Sequence, residues 1–207
     1  MSSNQLHGKR FEDILKATFP GSSDESRFVN SAWDIESKFD DDNLPISIKS
    51  KKFSSSITIE MADARRFFNN NEEFKLIISL YKQDGDIKSF YEVYQFTIRK
   101  KDLKKLKGSL KSCEVNDFHN ELKQYPPGAH HECRQYAKSR KSSIDSHGSF
   151  VKLNPKIDSK AQRRLQCSIT LKDLLSTIPK KQTTVFKDSF RGLVLPVRMI
   201  SEKRTLR

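Results

Sequence analysis

Apolar positions recur along this chain with two periods, and the switches between them predict the order of elements. Leu6, Phe11, Ile14, Leu15 and Phe19 recur at roughly helical spacing within residues 5–19, and Pro20-Gly21 ends the run. An amphipathic helix is expected there. From Trp33 to Phe53 the period drops to two. Trp33 and Ile35 alternate with Ala32, Asp34 and Glu36, and later Ile46 and Ile48 alternate with Ser47 and Lys49. Such alternation predicts half-buried strands, and Asp40-Asp41-Asp42-Asn43 between them has turn chemistry, so the two runs are expected to pair as a hairpin. A short strand over 57–60 and a helix over 62–69 follow. The clearest hairpin signal is Asp84-Gly85 between the β-rich runs 74–81 and 90–98. The unbroken Leu76-Ile77-Ile78 predicts a central strand covered on both faces.

The second half is more polar. A short basic helix over 99–107 stops at Gly108, and a helix over 114–123 stops at Pro126-Pro127-Gly128. The stretch from there to Gly148 has no readable period. A basic strand or loop over 151–169 precedes a short helix at 171–175 and a strand-like apolar segment, 186–199, that returns to the core. The expected class is α/β, with a mixed central sheet flanked by helices and a C-terminal α/β extension. The expectation is one domain over 1–207, with its core at about 5–100 and a recognition region at about 125–170.

Charge narrows the partners. Lys and Arg number 39 against 26 Asp and Glu, a formal net charge of +13, while hydrophobic residues make up only 35%. That excess favours a polyanion, either nucleic acid or an anionic membrane. No apolar run reaches the length of a membrane span, and Met-Ser-Ser-Asn-Gln lacks a signal-peptide core. The expectation is therefore a cytoplasmic protein that binds nucleic acid and no membrane. Cys113, Cys133 and Cys167 are odd in number and widely spaced, which suits reduced thiols and neither a disulfide framework nor a CxxC zinc site.

The candidate chemistry lies in the alternating stretch. A hairpin there lets Asp34 and Lys49 project from one surface at the same end. Such a pair is either an ordinary cross-strand ion pair or the centre of a metal-dependent site acting on phosphate, with the Ile48 carbonyl able to reach the metal. Glu12, beside Phe11 on the first helix, is either a solvated acid or a third acidic group delivered to that site. Lys51 and Arg65 are candidates for backbone phosphates. Downstream, Lys156, Lys160, Gln162, Arg163, Arg164 and Gln166 crowd together. Arginine suits guanine edges, glutamine adenine edges and lysine phosphate, so this segment reads as DNA recognition beyond bulk charge.

Gly8-x-x-Phe11-Glu12, then Trp33-Asp34, then Ile46-Ser47-Ile48-Lys49 resembles the PD-(D/E)xK nuclease superfamily, and within it the type II restriction endonucleases. The resemblance implies that Asp34 is the metal-binding acid, Lys49 the catalytic lysine and Glu12 the helix-borne glutamate. It also implies Mg²⁺ as the only small cofactor, double-stranded DNA cut at a short specific site, and a homodimer to match a two-fold site. The chain departs from the pattern twice. Ser47 stands where an Asp or Glu is usual, leaving Glu12 or Glu36 to supply the charge and Ser47 to hold metal-bound water. Trp33 replaces the usual proline. The alternatives are a non-catalytic basic nucleic-acid-binding protein and a DNA repair or junction-resolving nuclease of the same superfamily. An HNH-type or zinc site built from His119, His130, His131, Glu132 and Cys133 fits neither motif's spacing.

Overall fold

The computed structural model describes residues 11–21, 33–145 and 147–200. In chain order the elements are α1 (helical over 11–17), β1 (Ile46–Lys52), β2 (Thr58–Asp63), α2 (Ala64–Asn69), β3 (Phe74–Asp84), β4 (Ile87–Ile98), α3 (Lys100–Lys107), α4 (Ser112–Lys123), α5 (His130–Asp145), β5 (Lys152–Ile157), β6 (Arg163–Thr170), α6 (Leu171–Thr177), β7 (Thr183–Phe186), β8 (Ser189–Phe190), β9 (Leu193–Val194) and β10 (Val197–Ile200). The fold is mixed α/β. It forms two compact units: the described parts of 1–57, 73–98 and 178–207 make one, and those of 58–72 and 99–177 make the other.

The first unit is built on a mixed sheet in the order β1-β3-β4-β10, with β7 also on β4. β1 runs parallel to β3, and the other pairs are antiparallel. The first seven residues of β3 are all buried, which is why Leu76-Ile77-Ile78 reads as unbroken apolar sequence. Gly85, at φ +53°, closes the tight turn into β4. Phe11, Leu15 and Phe19, from α1 and the turn after it, pack into one cluster with Ile46 and Ile48 of β1, Ile77 of β3 and Phe90 of β4. The rings of Phe11 and Phe90 stack with centroids 3.6 Å apart. The expected start of this helix, residues 5–10, lies outside the described residues. Of the last strands, β7 and β10 return to the first sheet on β4, while β8 and β9 pair with each other.

The expected hairpin of 31–37 with 46–50 needs correction. Among the described residues its first run pairs only through Ile35, which bridges Ile46. A single 3-10 turn, Ser37–Phe39, follows at once. The cause is the acidic turn. Asp40 accepts the backbone N–H groups of Asp42 and Leu44 and pairs with the buried Lys75 ammonium of β3 at 2.7 Å. The chain is thereby drawn toward β3, and β1 takes β3 as its strand neighbour.

The second unit carries an antiparallel sheet in the order β2-β6-β5. Val115, Phe118, His119 and Leu122 of α4 are buried, and α4 packs on β6 while α5 packs on β5. The polar stretch without a readable period contains α5. Its buried side chains are only Cys133, Ala137 and Ile144, too thin a stripe to stand out in sequence. The basic stretch 151–169 resolves into the hairpin of β5 and β6. Asp158 ties its turn by accepting the N–H groups of Lys160 and Gln162.

Candidate active site

The alternation of β1 buries Ile46 and Ile48 and leaves Ser47 and Lys49 partly exposed. The Ile35–Ile46 bridge then fixes Asp34 beside them, its own N–H donating to Ile46 O at 2.9 Å. Trp33 anchors the approach, its indole 5.0 Å from the Phe74 ring. Three donors converge on one oxygen, Asp34 Oδ2: the Ile48 N–H at 2.7 Å, the Ser47 hydroxyl at 3.3 Å and Lys49 Nζ at 3.5 Å. Lys49 Nζ also donates to Ile48 O at 2.9 Å. The Lys49 and Asp34 side chains remain 24% and 27% exposed, so the group is shielded yet reachable from solvent.

Glu12 completes the cluster from α1. Phe11 beside it is fully buried, which pins the helix to the sheet. Burial foremost, and then the negative charge of Asp34, push the Glu12 carboxyl up to about 7, with Lys49 and Lys16 opposing the shift. Asp34 and Lys49 thus both act on the Glu12 carboxyl, in opposite directions. Ser47 brings no charge of its own and orients Asp34. Glu36 turns to Lys38 at 3.4 Å on the exposed 3-10 turn.

The donor set fits a hard divalent cation. Glu12, Asp34, the Ser47 hydroxyl and the Ile48 carbonyl offer only oxygen, the ligand type of Mg²⁺. Burial, more than the Asp34 charge, raises the Glu12 carboxyl, and a cation bound there would favour its ionised form. Lys49 bonds the same two oxygens, Asp34 Oδ2 and Ile48 O, that such a cation would use. Among the described residues no three His, Cys, Asp or Glu side chains gather as a metal cage, so the cation would keep several waters, as Mg²⁺ commonly does. The His130 and His131 rings lie 4.2 Å apart and tilted to each other, and Cys133 is buried, its thiol toward Leu122 O.

Of the residues expected to touch DNA, Lys51 lies two positions beyond Lys49 on β1, in the first unit. The others lie in the second. Arg65 sits at the start of α2, 3.6 Å from Asp63. Lys156 and Arg164 are directly opposite across β5 and β6, and Gln166 shares their face. Lys160 and Gln162 are exposed at the turn. Arg163 is corrected: it is buried, and its guanidinium donates to the carbonyls of Asp158, Gln162 and Pro126 at 2.8–2.9 Å. Both Nη groups are used within the fold, while the buried Nε has no hydrogen-bond partner among the described residues. The signal was present, because a period of two through β6 groups Arg163 with Leu165 and Cys167, all three buried. The same period adds Asn154, opposite Gln166 and bonded to Ser168 Oγ at 2.7 Å, which the charge pattern overlooked.

No family model matches this chain. No curated protein matches it either. A solved structure described as a restriction endonuclease in complex with substrate DNA is similar with a TM-score of 0.41 and 12% identity, over 97% of this chain and 74% of that one. Likeness at that level leaves function to the side chains themselves.

Proposed function

We propose that this chain is a Mg²⁺-dependent endonuclease that hydrolyses phosphodiester bonds in double-stranded DNA, acting as a homodimeric type II restriction enzyme at a short site. The observation that carries the reading is the convergence of the Ser47 hydroxyl, the Ile48 N–H and Lys49 on Asp34 Oδ2, with Glu12 of α1 near enough for the charges of Asp34 and Lys49 to act on its carboxyl. Asp34, Glu12 and the Ile48 carbonyl would hold a divalent cation, which when bound would lower the pKa of an attacking water and screen the phosphate. Ser47 and the Ile48 N–H keep Asp34 aimed. Lys49 orients the water and offsets the charge that grows on the phosphate oxygens in the transition state. The +13 charge supplies attraction to the backbone. Lys156, Lys160, Gln162, Arg164 and Gln166 supply the contacts that fix the site read.

The test is digestion of a sequenced plasmid with Mg²⁺ or EDTA, alongside Asp34→Ala and Lys49→Ala. Discrete bands that need Mg²⁺ and vanish in both variants, while duplex binding persists, support the reading. Cutting that survives either substitution overturns the site. Binding with no cutting under any divalent metal leaves a non-catalytic nucleic-acid-binding protein, and cleavage confined to branched or damaged substrates leaves a repair or junction-resolving nuclease.

A further inference from the structure

The face of β1 that carries Ser47, Lys49 and Lys51 continues to Phe53. The Phe53 N–H still donates to Tyr81 O at 2.8 Å, so the extended register holds one residue beyond the strand, and Phe53 stands about 13 Å along it from Lys49. Its ring is 49% exposed. Behind it is Tyr91, its ring 6.0 Å away and edge-on, and Lys82 Nζ lies 5.8 Å from the Phe53 centroid and 5.1 Å from that of Tyr91. Tyr91 is there because β3 and β4 slip register at that point. Leu80 pairs with Glu92 and Tyr81 with Phe90, leaving Tyr91 as the extra residue of a bulge, a device that re-aims a side chain.

Three features of this patch lack a structural purpose. A half-exposed phenylalanine adds little to the core. The Tyr91 hydroxyl is shielded from solvent with no hydrogen-bond partner among the described residues. Lys82 is exposed beside the rings, while the nearby Glu92 is engaged by Tyr94 at 2.9 Å and Lys187 at 3.5 Å. An exposed aromatic face with a lysine beside it is the arrangement on which bases of single-stranded nucleic acid stack, the cation meeting phosphate and the ring meeting the base.

We propose that Phe53, backed by Tyr91 and Lys82, is a stacking platform for an unpaired nucleobase. The proposal rests on the nucleic-acid reading above and adds a single-stranded element to the substrate. The test uses the full chain carrying Asp34→Ala, so that nothing is cut. A single-stranded oligodeoxynucleotide containing 2-aminopurine is titrated, followed by anisotropy and 2-aminopurine emission. The expected result is binding with quenched emission, weakened roughly tenfold or more by Phe53→Ala and preserved by Phe53→Trp, whose own indole emission is quenched by the bound strand. Unchanged affinity in Phe53→Ala, or no single-strand binding by the parent, overturns the platform. So does a shift from dimer to monomer in Phe53→Ala with oligonucleotide binding intact, which would make the patch an interface between copies. The nuclease reading fails separately: Phe53-dependent binding in a wild-type chain that never cuts keeps the platform and loses the nuclease.

Discussion

Two acid–lysine pairs draw their acids from one short stretch of chain, and they differ in nearly every physical respect. Lys75 meets Asp40 at 2.7 Å with side chains 6% and 0% exposed, and Asp40 is saturated by two backbone N–H groups. Lys49 meets Asp34 at 3.5 Å with both partners about a quarter exposed. The first pair is short, dry and complete, as a buried ion pair must be to offset desolvation. The second is long and open, and it lies near a second acid, Glu12, whose carboxyl is pushed up by burial first and by the Asp34 charge second. Identical residue types therefore serve two ends. Saturation and burial mark the pair that holds the turn, and solvent access beside a second acid marks the pair to which the proposed function assigns chemistry.

Breaking the open pair should abolish activity and spare the fold. Asp34→Ala and Lys49→Ala are each expected to slow single-turnover cleavage by about 10²–10⁴-fold, with thermal midpoints close to the parent. Breaking the closed pair should do the reverse. Asp40→Ala strands a buried ammonium and is expected to cost about 3–5 kcal/mol in urea unfolding, while the protein that remains folded still cuts. A large stability loss in Asp34→Ala, or none in Asp40→Ala, would show that the two roles are assigned the wrong way round.

Sequence made the open pair legible and hid the closed one. Alternation through Ile46-Ser47-Ile48-Lys49 needs only local spacing, and Glu12 stood beside a core phenylalanine at a helical position. The resemblance to a nuclease motif linked them. Asp40, by contrast, finds Lys75 thirty-five positions on, in a strand whose apolar run gives no reason to expect a buried ammonium. The overestimated hairpin has the same origin, because a two-residue period cannot tell a paired strand from one bridge and a turn. Arg163 failed for another reason. Charge was weighed there and parity was not, although the parity of Leu165 and Cys167 was in plain view.

The Glu12 carboxyl offers a smaller and subtler contrast between the pairs. Its folded pKa of about 7 lies above the unfolded 4.5. Between those values the folded state holds more protons than the unfolded one, so stability falls as pH rises and levels off above about 7. The upper bound is about 3 kcal/mol, reduced by the solvent that reaches the cluster. Thermal midpoints from pH 5 to pH 8 in EDTA should show this decline in the parent and lose it in Glu12→Gln. Saturating Mg²⁺ should flatten it by favouring the ionised form. An unaltered slope in Glu12→Gln would remove Glu12 from the cluster.

The smallest effect tests how complete the closed pair is. Asp42 also reaches Lys75, at 2.7 Å, yet its side chain is 59% exposed. Distance alone would rank it equal to Asp40. Water and salt screen an exposed carboxylate, so Asp42→Ala should cost at most about 1 kcal/mol, and less as ionic strength rises. The informative measurement is the double variant Asp40→Ala/Asp42→Ala. If Asp42 is silent beside an intact Asp40 but costly in its absence, Lys75 keeps a reserve partner and the single Asp40→Ala loss understates the buried pair. If the two losses simply add, burial and not proximity decides which acid holds the turn, and the same rule explains why the equally ordinary-looking Asp34–Lys49 contact is left free for chemistry.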